Sequence, residues 1–272
     1  MFTNFNQFIV MNILDKIIAQ KKIEVAQRKQ QTSIAALEQG KFFANKTLSL
    51  KKFLLDETKT GIIAEYKRKS PSKGIINNHS TVEEVTTAYA KFGASGISVL
   101  TDEQFFGGTL NDLLAATINE VPLLRKDFMI DEYQLIEAKA YGAEVILLIA
   151  ACLSKQEVKQ FATTAKGLGL EVLLEIHNEE ELNHICDAVD LIGVNNRNLK
   201  TFEVSIETSL QLINKMPTEK PAVAESGISN IETILTLLQA GFKGFLIGEN
   251  FMKETNPALA FEHFVNELKT KS

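Results

Sequence analysis

Short apolar runs alternate with longer amphipathic ones along most of this chain. Runs rich in β-formers fall at Ile62–Tyr66, Gly96–Leu100, Pro122–Lys126, Val145–Ala150, Glu171–Ile176, Leu191–Asn195, Ala222–Glu225 and Phe245–Ile247. Between them, helical periodicity appears over Val82–Phe92, Tyr133–Tyr141, Lys155–Leu168, Ile206–Met216 and Ile231–Ala240. Gly93, Gly142, Gly169 and Gly241 each stand where such a helix should stop before the next strand, which is the C′ position that favours a left-handed residue. Eight strand–helix units imply a parallel sheet with right-handed crossovers. An open doubly wound sheet remains possible. No G-x-G-x-x-G follows the first strand, so a closed (β/α)8 barrel is the preferred reading.

The first 55 residues follow a different rule. Ile13, Leu14, Ile17, Ile18 and Val25 recur at helical spacing from Asn12 to about Gln30, among Lys, Gln, Glu and Arg, predicting an amphipathic helix with a basic outer face. Shorter helical stretches follow at Ser33–Gln39, stopped by Gly40, and at Leu48–Leu55. Met1–Val10 lacks the basic and apolar regions of a signal peptide and reads as a poorly ordered lead-in, with Met11 a second possible start. The expected division is a helical extension over residues 1–55, capping the barrel, and a single catalytic (β/α)8 domain over 56–272. Nothing in the extension carries a chemical motif.

Composition narrows the function. The chain has 272 residues, of which 45% are hydrophobic, and a formal charge of −5. That length suits one barrel, and the acidic balance argues against nucleic acid. No apolar run is long enough to span a bilayer. The four histidines form no HxH or HExxH pair, and the two cysteines, Cys152 and Cys186, no CxxC, so no metal site is expected. Reduced, buried thiols in a cytoplasmic protein are the simplest reading.

The polar residues gather at one end of the predicted strands. The first ends Glu65-Tyr-Lys67, and i, i+2 spacing puts both charges on one face. Lys126 ends the third strand, Glu175 the fifth, Asn195 the sixth, and Glu225-Ser226-Gly227 follows the seventh. Gly248-Glu249 follows the eighth. A barrel's active site lies at that end of its strands, and its phosphate site commonly at the loops after the last two. Buried charges must arrive with partners, and Glu65 and Glu175 balance Lys67 and Lys126. A lysine among other cations, or partly desolvated, can have a lowered pKa and serve as a general acid, and a desolvated glutamate can equally be raised to act as a base or acid. Two stretches stay ambiguous. Lys67-Arg68-Lys69 with Lys73 could be a basic patch, though it is short and lacks aromatics; Phe105-Phe106-Gly107-Gly108 either packs under a loop or stacks a planar substrate.

Ala64-Glu-Tyr-Lys-Arg-Lys-Ser-Pro-Ser-Lys-Gly74, Leu124-Arg-Lys-Asp-Phe128, Leu173-Leu-Glu-Ile-His177, Gly193-Val-Asn-Asn-Arg-Asn-Leu199, Ala224-Glu-Ser-Gly-Ile228 and Phe245-Leu-Ile-Gly-Glu249, in this order, resemble the indole-3-glycerol-phosphate synthase family. The resemblance covers nearly the whole chain, the N-terminal helices included. It implies a carboxy-lyase of tryptophan biosynthesis that closes the ring of 1-(2-carboxyphenylamino)-1-deoxyribulose 5-phosphate, with loss of CO2 and water and without metal or organic cofactor. It implies Lys126 as general acid and Glu175 as the acid/base of the dehydration. Glu65 and Lys67 become the strand-one pair, with Lys67 receiving the substrate carboxylate, a phosphate contact or a proton-transfer role. Asn195, Glu225 and Ser226 would complete the catalytic set. Ser70, Phe106, Phe128, Leu147, Arg197 and Leu199 would bind substrate, and Lys67, Ser226, Gly227, Gly248 and Glu249 the phosphate. The implied protein is a cytoplasmic monomer acting on a small molecule. The competing readings are another phosphate-binding barrel isomerase or aldolase, and a catalytically silent barrel.

Overall fold

The computed structural model describes residues 12–199 and 201–271. The lead-in Met1–Val10 and the alternative start Met11 lie outside them. Eight parallel strands close a barrel in chain order: β1 (Ile62–Tyr66), β2 (Gly96–Leu100), β3 (Leu123–Lys126), β4 (Val145–Ile149), β5 (Glu171–Ile176), β6 (Leu191–Asn195), β7 (Ala222–Glu225) and β8 (Gly244–Ile247). β8 returns to β1 with Ile62 opposite Phe245 and Ala64 opposite Ile247. The expected strands differ from these by at most one residue at an end.

Alternation along each strand sorts its residues. Ile63, Leu124, Val145, Leu147, Leu173, Leu191, Val223 and Leu246 fill the interior, and their neighbours pack outward against the helices. Three helices precede the barrel: the long α1 (Ile13–Gln31) and the short α2 (Ile34–Glu38) and α3 (Leu50–Leu54). Leu50 and Leu54 of α3 close the interior from below, against Gly96 and Gly244 at the strands' N-terminal ends.

Around the barrel run α4 (Val82–Lys91), α5 (Glu103–Phe106), α6 (Leu110–Ala116), α7 (Glu132–Ala140), α8 (Lys155–Gly167), α9 (Glu207–Leu212), α10 (Ile231–Ala240), α11 (Glu249–Met252) and α12 (Pro257–Lys271). α9 continues as a 3-10 turn over Ile213–Lys215, so the helix expected over Ile206–Met216 changes pitch on the way. A 3-10 turn, Glu180–His184, replaces a helix between β5 and β6. The four glycines expected to stop helices all have positive φ, from 75° at Gly169 to 111° at Gly241.

One expectation needs correcting. α1 has its basic face, but Lys21 turns inward and is fully buried. Its Nζ lies 2.8 Å from an Asp102 carboxylate oxygen and 2.9 Å from Asp127 Oδ1. Two carboxylates already buried beneath the helix recruit the lysine there, because either would be costly to leave unpaired.

Candidate active site

All the residues expected to form the site line one cavity of about 340 Å³ at the C-terminal ends of the strands. That volume suits a small ligand. The floor is a charged layer resting on the apolar interior. Lys126 Nζ lies 2.8 Å from Glu175 Oε2 and 3.0 Å from Glu225 Oε2. Asn195 Nδ2 donates to Glu175 Oε1 at 3.1 Å. Lys67 Nζ donates to Glu65 Oε1 at 2.5 Å. The charges pair in a pattern the sequence did not suggest: Glu65 takes Lys67, and Glu175 and Glu225 share Lys126, so three carboxyls face two ammoniums.

Close approach demands glycine in two places. A Cβ on Gly193 would stand 2.2 Å from Glu225 Oε1, and one on Gly248 would stand 2.5 Å from Glu65 Oε1. Any side chain there would push a carboxylate out of the layer. The Glu65–Lys67 pair is thereby set against the end of β8, beside the expected phosphate loops.

Burial and charge pull the titrations apart. Burial alone would lower the Lys126 pKa, but Glu175, Glu225 and Glu65 outweigh it and raise it above the ordinary lysine value. The lowered lysine that the sequence allowed is not found, because carboxylates rather than cations surround Lys126. For Glu175, burial works upward, and Lys126 and His177 outweigh it, holding the carboxyl well below its usual range. Glu225 goes the other way: burial, aided by the Glu175 charge, lifts it to about 7 against the pull of Lys126. Like charges sharing one cation cannot both ionise cheaply. At neutral pH the cluster thus holds a base, an acid and a protonated amine within one contact of each other.

The walls are apolar. Phe106 and Phe128 face each other with ring centroids 6.1 Å apart, and Leu147 and Leu199 join them. Of the neighbouring pair Phe105-Phe106, Phe106 lines the cavity. Ile13, Leu14 and Ile17 of α1 add the remaining wall, so the extension caps the mouth and shapes it. Its chemistry was missed because helical spacing cannot reveal which face will meet a distant cavity.

The loop after β1 forms a short hairpin, with Lys69 opposite Ile75 and Ser70 opposite Gly74. Arg68 reaches outward to both Asp112 oxygens, at 2.5 and 2.8 Å, and Lys69 Nζ to the Gln104 carbonyl at 2.5 Å. The basic run is therefore committed to holding loops, while Lys67 faces inward and Ser70 borders the cavity. Arg197 also borders it; its N–H donates to Asn195 Oδ1 at 3.0 Å.

At the far side, Ser226 and Gly227 both take left-handed backbone, with φ of 66° and 76°. A non-glycine residue rarely adopts this, and something must hold it there. Asn196 does. Buried behind the loop, it donates from Nδ2 to the Ser226 carbonyl at 3.2 Å and accepts from Ser209 Oγ at 2.8 Å and Ser209 N–H at 3.2 Å. Gly248 begins α11, so the first backbone N–H groups of that helix, starting at Glu249, open toward the same corner. The sequence reading named Asn195 and passed over Asn196; the doubled Asn was its only signal.

His177 was also passed over. Its Nε2 lies 3.2 Å from Glu175 Oε1 and its Nδ1 3.3 Å from Glu181 Oε2. Burial disfavours its charge, but the two carboxylates raise its pKa to about 10.

The indole-3-glycerol phosphate synthase family model matches residues 14–264. Curated relatives named indole-3-glycerol phosphate synthase include one from Bacteroides thetaiotaomicron, 47% identical over 95% of this chain and 99% of its own. Another, from Polaromonas sp., is 40% identical over 92% of this chain and 96% of its own. Among solved structures, the chain resembles a tryptophan synthase complex from Pyrococcus furiosus, with a TM-score of 0.58, 17% identity, and coverage of 77% of this chain and 97% of that one. At that identity the likeness speaks for the barrel alone. By sequence match over nearly its whole length, the chain belongs to the indole-3-glycerol phosphate synthase family.

Proposed function

We propose that the charged layer closes the indole ring in the family's reaction, with each residue acting from the position described above. The chain is a carboxy-lyase of tryptophan biosynthesis. It converts 1-(2-carboxyphenylamino)-1-deoxyribulose 5-phosphate to indole-3-glycerol phosphate, with release of CO2 and water.

The observation that carries the residue roles is Lys126 Nζ held between Glu175 and Glu225 on the floor of an apolar-walled cavity. The substrate's aromatic ring lies between Phe106, Phe128, Leu147 and Leu199, with the α1 side chains over it. Its carboxylate meets Lys67, and Ser70 and Arg197 border the bound molecule. Its phosphate takes the N–H groups of the Ser226-Gly227 turn and the Gly248-Glu249 helix start.

The ring carbon that bears the carboxylate attacks the sugar carbonyl. As that C–C bond forms, the carbonyl π-electrons move to oxygen, and Lys126 donates a proton to it. The C–CO2⁻ bond then breaks and its electron pair restores the ring. In the dehydration, Lys67, freed of the departed carboxylate, gives a proton to the new hydroxyl, the C–O bond breaks and water leaves, and Glu175 accepts the proton that the ring system gives up. Asn195 donates to Glu175 and orients it for this. Such proton transfers are worth about 10²–10⁴-fold each.

An aromatic carboxylate needs apolar walls beside a cation, which a purely aliphatic sugar phosphate would not use. That favours this reaction over another barrel isomerase or aldolase. The charged layer is built from the strands of one chain, so the proposed chemistry is that of a monomer. The two unpaired cysteines, Cys152 and Cys186, fit a reducing compartment such as the cytoplasm. With the expected division at residue 55, the described residues from 12 serve as a capping extension and those from 56 to 271 as the catalytic barrel. The test is turnover of the anilino-deoxyribulose phosphate, followed by indole fluorescence. Folded protein that binds phosphate yet forms no indole product would refute the proposal.

A further inference from the structure

We propose that His177 is a positioning residue: as an imidazolium between Glu181 and Glu175, it fixes the Glu175 carboxylate and keeps it ionised as the base of the dehydration. The inference rests on the proposed role of Glu175.

Geometry sets the charge of the ring. Both imidazole nitrogens face carboxylate oxygens, Nε2 at 3.2 Å from Glu175 and Nδ1 at 3.3 Å from Glu181. A neutral imidazole has one N–H and one lone pair, so it would turn a lone pair on one carboxylate. The doubly protonated ring alone answers both with positive charge: Nδ1 hydrogen-bonds Glu181, while Nε2 stands at ion-pair distance from Glu175 without hydrogen-bond alignment. Side-chain exposure is 10% for His177, 4% for Glu175 and 13% for Glu181, so little water competes.

The ring is itself held. Glu181 Oε2 accepts from the His177 backbone N–H at 2.7 Å, and its other oxygen accepts from Asn178 Nδ2 at 2.8 Å. The first turn beyond β5 is thereby folded around one carboxylate. Glu181 belongs to the 3-10 turn that stands in place of a helix after β5. That substitution brings its carboxylate back over the strand end.

The charged and titratable groups around the ring come from several elements. Glu175 faces it from β5 and Glu181 from the following turn. The electrostatic neighbourhood of Glu175 and Glu181 also includes Cys152, after β4, whose thiol burial pushes up to about 12, leaving it neutral. On its far oxygen Glu175 meets Lys126 from β3, which also serves Glu225 from β7. His177 thus gives Glu175 a cation of its own, on the oxygen that Asn195 also holds. Without it, Glu175 and Glu225 would depend on Lys126 alone, and the proton that Glu225 carries would be shared between them. A base that holds a proton part of the time turns over more slowly.

The test joins kinetics to a direct reading of the ring. In His177→Gln, kcat should fall about tenfold, with KM changed less than about threefold, because the substrate's own contacts are untouched. The acid limb of the kcat profile should move up by about one pH unit, the effect expected on losing an opposite charge at this distance. His177→Lys, which restores a cation, should bring the limb back toward its original position. A merely structural histidine would lower Tm and leave the limb in place, and that result overturns the proposal. ¹⁵N spectra of the unaltered enzyme should show both ring nitrogens of His177 protonated at pH 8, where a free imidazole, with a pKa near 6.5, is neutral. A neutral ring there overturns the proposal whether or not the variants fold. Absence of indole formation by the unaltered enzyme would instead count against the proposed function, leaving the ring's charge to be read separately.

Discussion

Glu225→Gln should make the protein more stable above neutral pH while making it a poorer catalyst. Glu225 is fully enclosed and its Oε1 has no hydrogen-bond partner among the described residues. It shares Lys126 with Glu175 and is pushed up to about 7 from an ordinary 4.5. The folded protein therefore binds this proton more tightly than the unfolded chain does. Stability is lost as pH rises from about 4.5, and the loss is complete once pH passes about 7. At about 1.4 kcal/mol for each pH unit across that interval, the ionised carboxylate costs about 3 kcal/mol.

Glutamine has the same shape and stays neutral. Its carbonyl can accept from Lys126, and its amide can donate toward Glu175, where the native carboxylate repels. The variant should match the parent near pH 4.5 and exceed it by about 2–4 kcal/mol at pH 8. In a chain of this length that is a rise in Tm of about 2–4 °C for each kcal/mol. Urea denaturation of both proteins across pH 4.5 to 8 measures the difference directly. A gap that does not widen with pH, or a variant less stable than its parent at pH 8, would refute the assignment of the raised carboxyl to Glu225. Turnover should fall in the same variant, because an active site retains groups that stability alone would discard.

Lys126→Ala should fold and lose about 10²–10⁴ in kcat, read by indole fluorescence; near-native turnover would remove its role as general acid. Asn196→Ala leaves the Ser226 carbonyl and Ser209 without their partner, so binding of inorganic phosphate, measured by calorimetry, should weaken by about tenfold, or ~1.4 kcal/mol. Lys21→Met removes the buried cation between Asp102 and Asp127 under the middle of α1, and denaturation should show a loss of about 3–5 kcal/mol. An effect below ~1 kcal/mol would mean the helix is held by its apolar contacts alone.

The barrel strands were legible because each is a short apolar run bounded by turn residues, and Glu65, Lys126, Glu175 and Glu225 because charge at a strand's end is conspicuous. α6 and α12 were not named, although Thr109-x-x-Asp112 before Leu113 is a capping signal and Pro257 after Asn256 marks a first helical turn. The hairpin at Lys69–Ile75 is too short to leave a periodic trace. What no local pattern could supply was the destination of side chains whose partners are far along the chain. Lys21 looked like one basic residue among many on α1, and only folding brings Asp102 and Asp127 beneath it. His177 and Asn196 looked like ordinary polar residues after their strands, yet each is set by contacts to another loop or turn.

The segment Arg125-Lys126-Asp127 shows how closely the two kinds of residue are joined. Alternation sends Lys126 into the cavity and its neighbours outward. Arg125 is fully buried between barrel and helices, 2.8 Å from Glu137 of α7 and 3.1 Å from Asp127. Asp127 accepts from Thr101 Oγ1 at 2.7 Å and holds Lys21 of α1 through its other oxygen. The backbone on either side of Lys126 is therefore fixed by the buried ion pairs of Arg125 and of Asp127, which itself borders the cavity. A substitution at Lys21 or Asp127 frees the peptide that aims Lys126, and a displacement of 1 Å at a reacting group can cost about 10²-fold in rate. The extension that carried no chemical motif is, through Lys21 and one peptide, part of what positions the proton donor.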